Sequence, residues 1–270
     1  MKRIKLVVSY DGTNYVGWQV QKNGLAVEAV LNEHLSKLLG EDIEVIGCSR
    51  TDSGVHARGN VAAFDTETRI PAGKISYALN QSLPDDIKIV SSEEVAADFH
   101  PRYAARIKTY EYKILNCRYN LPTVRLYADY VYYPLDVDKM KEAAAYLLGE
   151  HDFKAFSSAG GQQKTSVRTI TDINVTSEFL NPDADPEEDA KEGFRPQIIT
   201  IKVSGNGFLY NMVRIIAGTL EKTGLGMYPP THVKEILDSC DRRLSAPKAP
   251  ARGLTLVKIE YGGENPIKLG

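Results

Sequence analysis

Apolar and polar positions alternate from Ile4 to Tyr10, with β-branched residues prominent, and this predicts a strand ended by the turn residues Asp11-Gly12-Thr13-Asn14. Over Ala26–Leu39 the period changes. Val27, Val30, Leu31, Leu35 and Leu38 recur at three and four, the apolar stripe of a helix, and Gly40 stops it. His34 sits on or near that stripe and reads as a packed histidine. Strands follow over Ile43–Gly47 and Asn60–Thr66. A helix opened by Pro71 runs to about Gln81, and Pro84-Asp85-Asp86 turns into a strand over Ile87–Val90. The order is β-α-β-β-α-β, the ferredoxin-like pattern, within a first half of about 1–105.

Beyond a basic, aromatic connector (Phe99–Arg106), Lys108–Leu115 predicts a strand with Tyr110 and Tyr112 on one face. Tyr127–Tyr133 is a further strand, and Val137–Leu148 a helix with Met140, Ala144, Leu147 and Leu148 inward. His151 and Asp152, adjacent on a turn, are assigned to structure, since neighbours on a turn rarely face one substrate. Arg168–Glu178 and Gln197–Val203 read as a hairpin. Gly205 and Gly207 bend the chain into a helix reaching about Lys222, with Phe208, Met212, Ile215, Ile216 and Leu220 as its stripe. A short helix over Pro229–Cys240 and a strand over Thr255–Tyr261 complete a second half of about 106–270. The prediction is therefore an α+β chain made of two related halves around one cleft.

Length and composition fit this picture. A chain of 270 residues with 43% hydrophobic and 25% charged residues is that of a globular protein with ample core. Net charge is −2, which does not announce a nucleic-acid binder. Asn181–Glu192 alone carries −5, however, leaving +3 for the remainder. That acidic insertion, about 179–195, cannot build core and is expected to be exposed. Any polyanion site must then be a local basic surface. Cys48, Cys117 and Cys240 are far apart and form no Cys-x-x-Cys pair, so neither a metal site nor a disulfide framework is expected. Reduced thiols, with no signal peptide and no membrane-spanning run, predict a cytoplasmic protein.

The densest chemistry lies in Cys48–Asn60, between two predicted strands. It holds Asp52, Arg50, Arg58 and His56, with Gly54 and Gly59 allowing tight turns or close approach. An aspartate flanked by arginines stays ionised and suits a nucleophile or base that meets a polyanion. By chemistry alone the commoner reading of Asp52-Ser53-Gly54 is an ordinary turn.

Arg50-Thr51-Asp52-Ser53-Gly54-Val55-His56-Ala57 resembles the signature of the tRNA pseudouridine synthase A family, whose Arg-Thr-Asp-x-Gly-Val-His segment carries the catalytic aspartate. Five further stretches are similar to that family: Tyr10–Gln19, the His-x-Arg-x-x-Ala of 100–105, the Lys-x-Tyr-x-Tyr of 108–112, Ser204–Arg214 and Ala249–Leu256. The resemblance implies a pseudouridine synthase fold with a central, mainly antiparallel sheet and an RNA-binding cleft. It implies isomerisation of uridine to pseudouridine at positions 38, 39 and 40 of the tRNA anticodon arm, with no cofactor or metal. On this resemblance Asp52 is the nucleophile or base, Arg214 orients it, and Arg50 fills the space of the extruded base. Tyr110 stacks on the uracil, and His100, Arg102, Arg106 and Arg58 bind the RNA. Lys164 and Arg168 are further RNA candidates, and the family implies a homodimer. The rival readings are a non-catalytic RNA-binding protein on the same fold and, more remotely, an aspartate-nucleophile phosphate-ester hydrolase.

Overall fold

The computed structural model describes residues 1–161, 164–180 and 195–262; the acidic stretch 181–192 lies outside them. The chain divides into two compact units. One is Met1–Lys108 with the segment beginning at Thr255, and the other is Thr109–Leu254.

The first unit runs β1 (Lys2–Tyr10), α1 (Val27–Leu39), β2 (Ile46–Gly47), β3 (His56–Thr66), α2 (Ala72–Asn80) and β4 (Ile87–Val95). This is the β-α-β-β-α-β order read from the sequence. β1 pairs antiparallel with β3 on one side and β4 on the other. The first helix buries Val27, Val30, Leu31 and Leu35, and Gly40 closes it at φ 68° with its N–H on the Ser36 carbonyl, as the stripe and the glycine predict. The strand predicted for Ile43–Gly47 shortens to two residues. β3 is longer than predicted and begins at His56, so His56 and Arg58 are strand residues and not loop residues.

One feature of β1 escapes its alternating pattern. Lys5 is buried, at 2% exposure, with its Nζ 2.8 Å from Glu93 and 5.3 Å from the Tyr261 ring centroid. A paired ammonium against aromatic faces is an acceptable core group, so both faces of this strand are covered.

β5 (Ala105–Asn116) crosses from the first unit into the second. The second unit continues with β6 (Asp129–Val131), α3 (Val137–Ala145), β7 (Gly149–Asp152), β8 (Val167–Phe179), β9 (Gln197–Gly205), α4 (Met212–Gly224) and α5 (His232–Ser239). β8 pairs antiparallel with β7 and β9, while β6 runs parallel to β5. Asp136 caps α3 by accepting from Lys139 N–H at 3.0 Å. That helix ends at Ala145, and the two residues held back from chemistry, His151 and Asp152, sit in β7 making local backbone bonds. α4 starts later than its predicted stripe. Phe208 precedes it, and the helix begins at Met212.

The last strand, β10 (Leu254–Tyr261), pairs parallel with β3, Thr255 opposite His56 and Leu256 opposite Ala57. Sequence order had grouped this segment with residues 106–270, whereas its pairing attaches it to the first unit. The fold is α+β, and the pairing in both units is mainly antiparallel.

Candidate active site

The Asp52 segment is held from both flanks by main-chain contacts. Gly17 and Asp52 form an antiparallel bridge, and Trp18 N–H donates to the Thr51 carbonyl at 3.0 Å. Ser53 Oγ and Gly54 N–H both donate to the Tyr15 carbonyl, at 3.2 and 3.3 Å, and Val55 N–H closes the turn on the Asp52 carbonyl at 3.1 Å. Gly54 adopts φ 76°, the left-handed conformation this turn needs. Close approach also explains the Gly17 of the opening stretch. A Cβ there would lie 2.5 Å from the Thr51 oxygen, at a φ of 111°. The turn that the Asp-Ser-Gly triplet suggests is thus real, and it carries a half-buried carboxylate at its head.

Cations cluster on the approach to this turn. Arg50 and Arg58 are exposed. Arg102 Nη2 donates to the Gly47 carbonyl at 3.4 Å and Lys108 Nζ to the Cys48 carbonyl at 3.3 Å, so two positive groups lie over the backbone that leads to Asp52. His100 acts locally. Its Nδ1 accepts the N–H groups of Arg102 and Tyr103, and its ring lies 4.2 Å from that of Tyr103. It shapes the connector that presents Arg102. Arg106 is exposed at the start of β5.

In the second unit, Arg214 departs from an ordinary exposed helix arginine. It is 8% exposed, its Nε donates to the Ala249 carbonyl at 2.8 Å, and its Nη1 donates to Asn211 Oδ1 at 3.1 Å. Ala249 N–H returns a bond to the Arg214 carbonyl at 3.0 Å. The Ala249–Gly253 turn is itself anchored. The buried Tyr112 hydroxyl donates to the Pro250 carbonyl at 3.0 Å, and Arg252 Nη2 to Asp129 at 2.8 Å. Gly253 is required there, because a Cβ would meet the Tyr112 ring at 2.6 Å. Burial raises the Asp129 carboxyl, against the pull of Arg252, and burial with the nearby Asp129 raises Glu221. Tyr110, less buried than Tyr112, meets Phe208 edge-to-face with ring centroids 5.2 Å apart. Phe208, predicted as a helix-stripe residue, therefore supports the Tyr110 ring.

Of the residues singled out in the sequence, Arg50, Asp52, Arg58, His100, Arg102 and Arg106 lie in the first unit, and Tyr110 and Arg214 in the second. Sequence reasoning passed over Lys108, the Tyr10–Thr51–Asn60 contacts and Asn211. Lys108 had a signal, as a cation at the head of a tyrosine-rich strand. Asn60 had one too, a polar residue ahead of the apolar run Val61–Phe64. Asn211 had none. Among the described residues, no group of three or more His, Cys, Asp or Glu side chains is placed to hold a metal ion. No described helix is long and apolar enough to cross a membrane.

The chain matches the family model described as tRNA pseudouridine synthase over residues 6–104 and 143–262. It is 46% identical over 261 residues to the tRNA pseudouridine synthase A of Thermoanaerobacter sp. (strain X514), covering 97% of this chain and all of that protein. It is 48% identical over the same length, with the same coverage, to that of Ruminiclostridium cellulolyticum. To the tRNA pseudouridine synthase A of Brevibacillus brevis it is 43% identical over 265 residues, again 97% of this chain and all of the relative. The matched segments include the clasped Asp52 turn, the Arg102 connector and the helix bearing Arg214, and on this ground the chain belongs to the tRNA pseudouridine synthase family.

Proposed function

We propose that this protein isomerises uridine to pseudouridine at positions 38, 39 and 40 in the anticodon arm of tRNA. The observation that carries the reading is the family's Arg-Thr-Asp-x-Gly-Val-His segment, folded here as a turn whose main chain is fixed on both sides of Asp52. The relatives are named tRNA pseudouridine synthase A. The N1–C1′ bond breaks, the uracil turns, C5 bonds to C1′, the C5 proton leaves and N1 takes up a proton. The reaction is redox-neutral and loses no group, so it makes no demand for a redox cofactor.

Asp52 acts as nucleophile or base in this scheme. Attack at C1′, attack at C6 and proton abstraction at C2′ each require one ionised carboxylate held still. Arg214 is the partner cation, and its burial and its two fixed acceptors suit a guanidinium that must hold one orientation. Tyr110 stacks on the uracil, with Phe208 bracing its ring. Arg50 fills the gap left by the extruded base. Arg58, Arg102, Arg106 and Lys108 bind phosphates, with His100 shaping the connector. The working form is a cytoplasmic homodimer in which tRNA touches both subunits.

The test is incubation of the pure protein with unmodified tRNA transcripts carrying uridines at 38–40, in EDTA, with pseudouridine read by carbodiimide labelling and primer extension. Product from wild type and none from Asp52→Ala is the expected result. Stable tRNA binding without product would turn the reading to a non-catalytic RNA-binding protein.

A further inference from the structure

Beneath the Asp52 turn lies a buried polar network that the reaction scheme does not use. Tyr10, Thr51 and Asn60 are 4%, 8% and 0% exposed. Tyr10 Oη and Thr51 Oγ1 are 2.7 Å apart, and Asn60 Nδ2 lies 3.3 Å from Tyr10 Oη. The amide nitrogen can only donate, so Tyr10 Oη accepts from Asn60, while between Tyr10 and Thr51 either hydroxyl can be the donor. Asn60 also grips the other end of the segment. Its Nδ2 donates to the Ser49 carbonyl at 3.0 Å, and its Oδ1 accepts Ser49 N–H at 3.2 Å and Val61 N–H at 2.9 Å. Burial raises the pKa of Tyr10 well above the ordinary phenol range, so it stays a neutral hydroxyl at any working pH.

Stability alone does not require this arrangement. Buried hydroxyl and amide groups replaced together by apolar groups of the same shape leave stability nearly unchanged. What hydrogen bonds add over apolar packing is direction. Thr51 is pegged through its side chain to Tyr10 and through its carbonyl to Trp18, while Ser49 is pegged through both backbone polar groups to Asn60. With the Tyr15 and Val55 contacts on the far side, the main chain is fixed on both sides of Asp52.

We propose that the Tyr10–Thr51–Asn60 network sets the placement of the Asp52 carboxylate, making these three positioning residues for the reaction. The inference rests on the reading of Asp52 as the reacting carboxylate. Misplacing a reacting group by about 1 Å costs on the order of 100-fold in rate, so loss of the network should be read in the chemical step and not in tRNA affinity.

The experiment measures single-turnover pseudouridine formation with excess enzyme, tRNA Kd by filter binding and thermal unfolding. The variants are Tyr10→Phe, Thr51→Val, Thr51→Ser and the Tyr10→Phe/Thr51→Val double. The expected result is a rate constant about 10- to 100-fold lower in Tyr10→Phe and Thr51→Val, with Kd unchanged within about threefold. Thr51→Ser, which keeps the hydroxyl, should recover most of the rate, and the double variant should be little worse than either single. Wild-type rates in folded Tyr10→Phe overturn the proposal, as does a loss matched by a smaller folded fraction. Asp52→Ala run alongside separates the two claims. If it is inactive while Tyr10→Phe is normal, the network alone falls. If it turns over, the carboxylate's role falls and the network's with it.

Discussion

Asn211 Oδ1 accepts Arg214 Nη1 at 3.1 Å across the first turn of α4, and Asn211 itself stands at φ 60° and ψ 9°. A non-glycine residue in the left-handed region costs of order 1 kcal/mol or more, and it is kept where the surroundings over-determine it. Here the amide answers two needs, because its Nδ2 also reaches Ser158 Oγ at 3.0 Å. Asn211→Gly should relieve the backbone while removing one of the acceptors that orient Arg214. Urea unfolding should stay within about 1 kcal/mol of wild type. Pseudouridine formation should fall about tenfold. Asn211→Ala, which keeps the strain and loses the bonds, should be less stable by about 1–3 kcal/mol.

Asp52→Asn keeps the shape of the side chain and removes its charge. Turnover should drop by more than about 1,000-fold, the scale seen when a reacting group is lost, while tRNA Kd stays within a few-fold. Rapid-quench kinetics with a homogeneous preparation, alongside filter binding, measures both.

The glycines offer a contrast between strain and collision. Gly40 sits at φ 68° with open space around its missing Cβ, so Gly40→Ala should cost only about 1 kcal/mol. At Gly12 a Cβ would lie 2.0 Å from the Val55 carbonyl oxygen, which is main chain and cannot swing aside. Gly12→Ala should therefore cost about 3 kcal/mol and displace the strand start next to the Asp52 turn. Denaturant midpoints with unchanged slopes separate the two cases.

Lys108 and Arg102 make modest backbone contacts, at 3.3 and 3.4 Å, that an RNA phosphate can replace. Lys108→Ala and Arg102→Ala should each raise KM with little change in kcat. Each should also lower the slope of log Kd against log salt by about one unit. A fall in kcat with an unaltered salt slope would count against phosphate binding.

Glu221 gives a pH signature. Its carboxyl is raised by burial and then by Asp129, so the folded state favours the neutral form. For a raised carboxyl, the stability contribution is present below the unfolded-state pKa and is lost as pH climbs through the folded-state value. Glu221→Gln removes that loss. The stability of the variant minus that of wild type should be constant below the ordinary carboxylate range, increase as pH rises from there to the elevated value, and level off above it. Chemical denaturation of both proteins across that range is the check.

Much of the first unit was legible because its signals are local. A stripe at three and four, a stop glycine and alternating strands need no knowledge of what lies across the sheet. The β3 start at His56 was missed because His-Ala-Arg-Gly reads as loop chemistry, and only its pairing with β1 and β10 makes it strand. Lys5 shows the same limit. Its burial depends on Glu93 and Tyr261, far along the chain. The Asp52 turn was readable in type and position. The clasp around it was not, since Tyr10, Tyr15, Gly17 and Asn60 meet the turn only through topology, and neither the opening motif nor the polar Asn60 says what it touches. Arg214 was assigned by likeness to a family; its burial and its Asn211 and Ala249 acceptors belong to tertiary packing.

The parallel pairing of β10 with β3 sets an order of events during synthesis. Thr255 and Leu256 settle beside His56 and Ala57, 199 residues upstream, and Gly59 packs directly under the Val257 carbonyl. At about 5–20 residues per second, the ribosome needs on the order of 10–40 s to deliver that partner. Until then the strand that follows Asp52 has an unsatisfied edge on one side. A nascent chain stalled before residue 255 holds every side chain assigned to the chemistry and still lacks the strand that closes the sheet beside it.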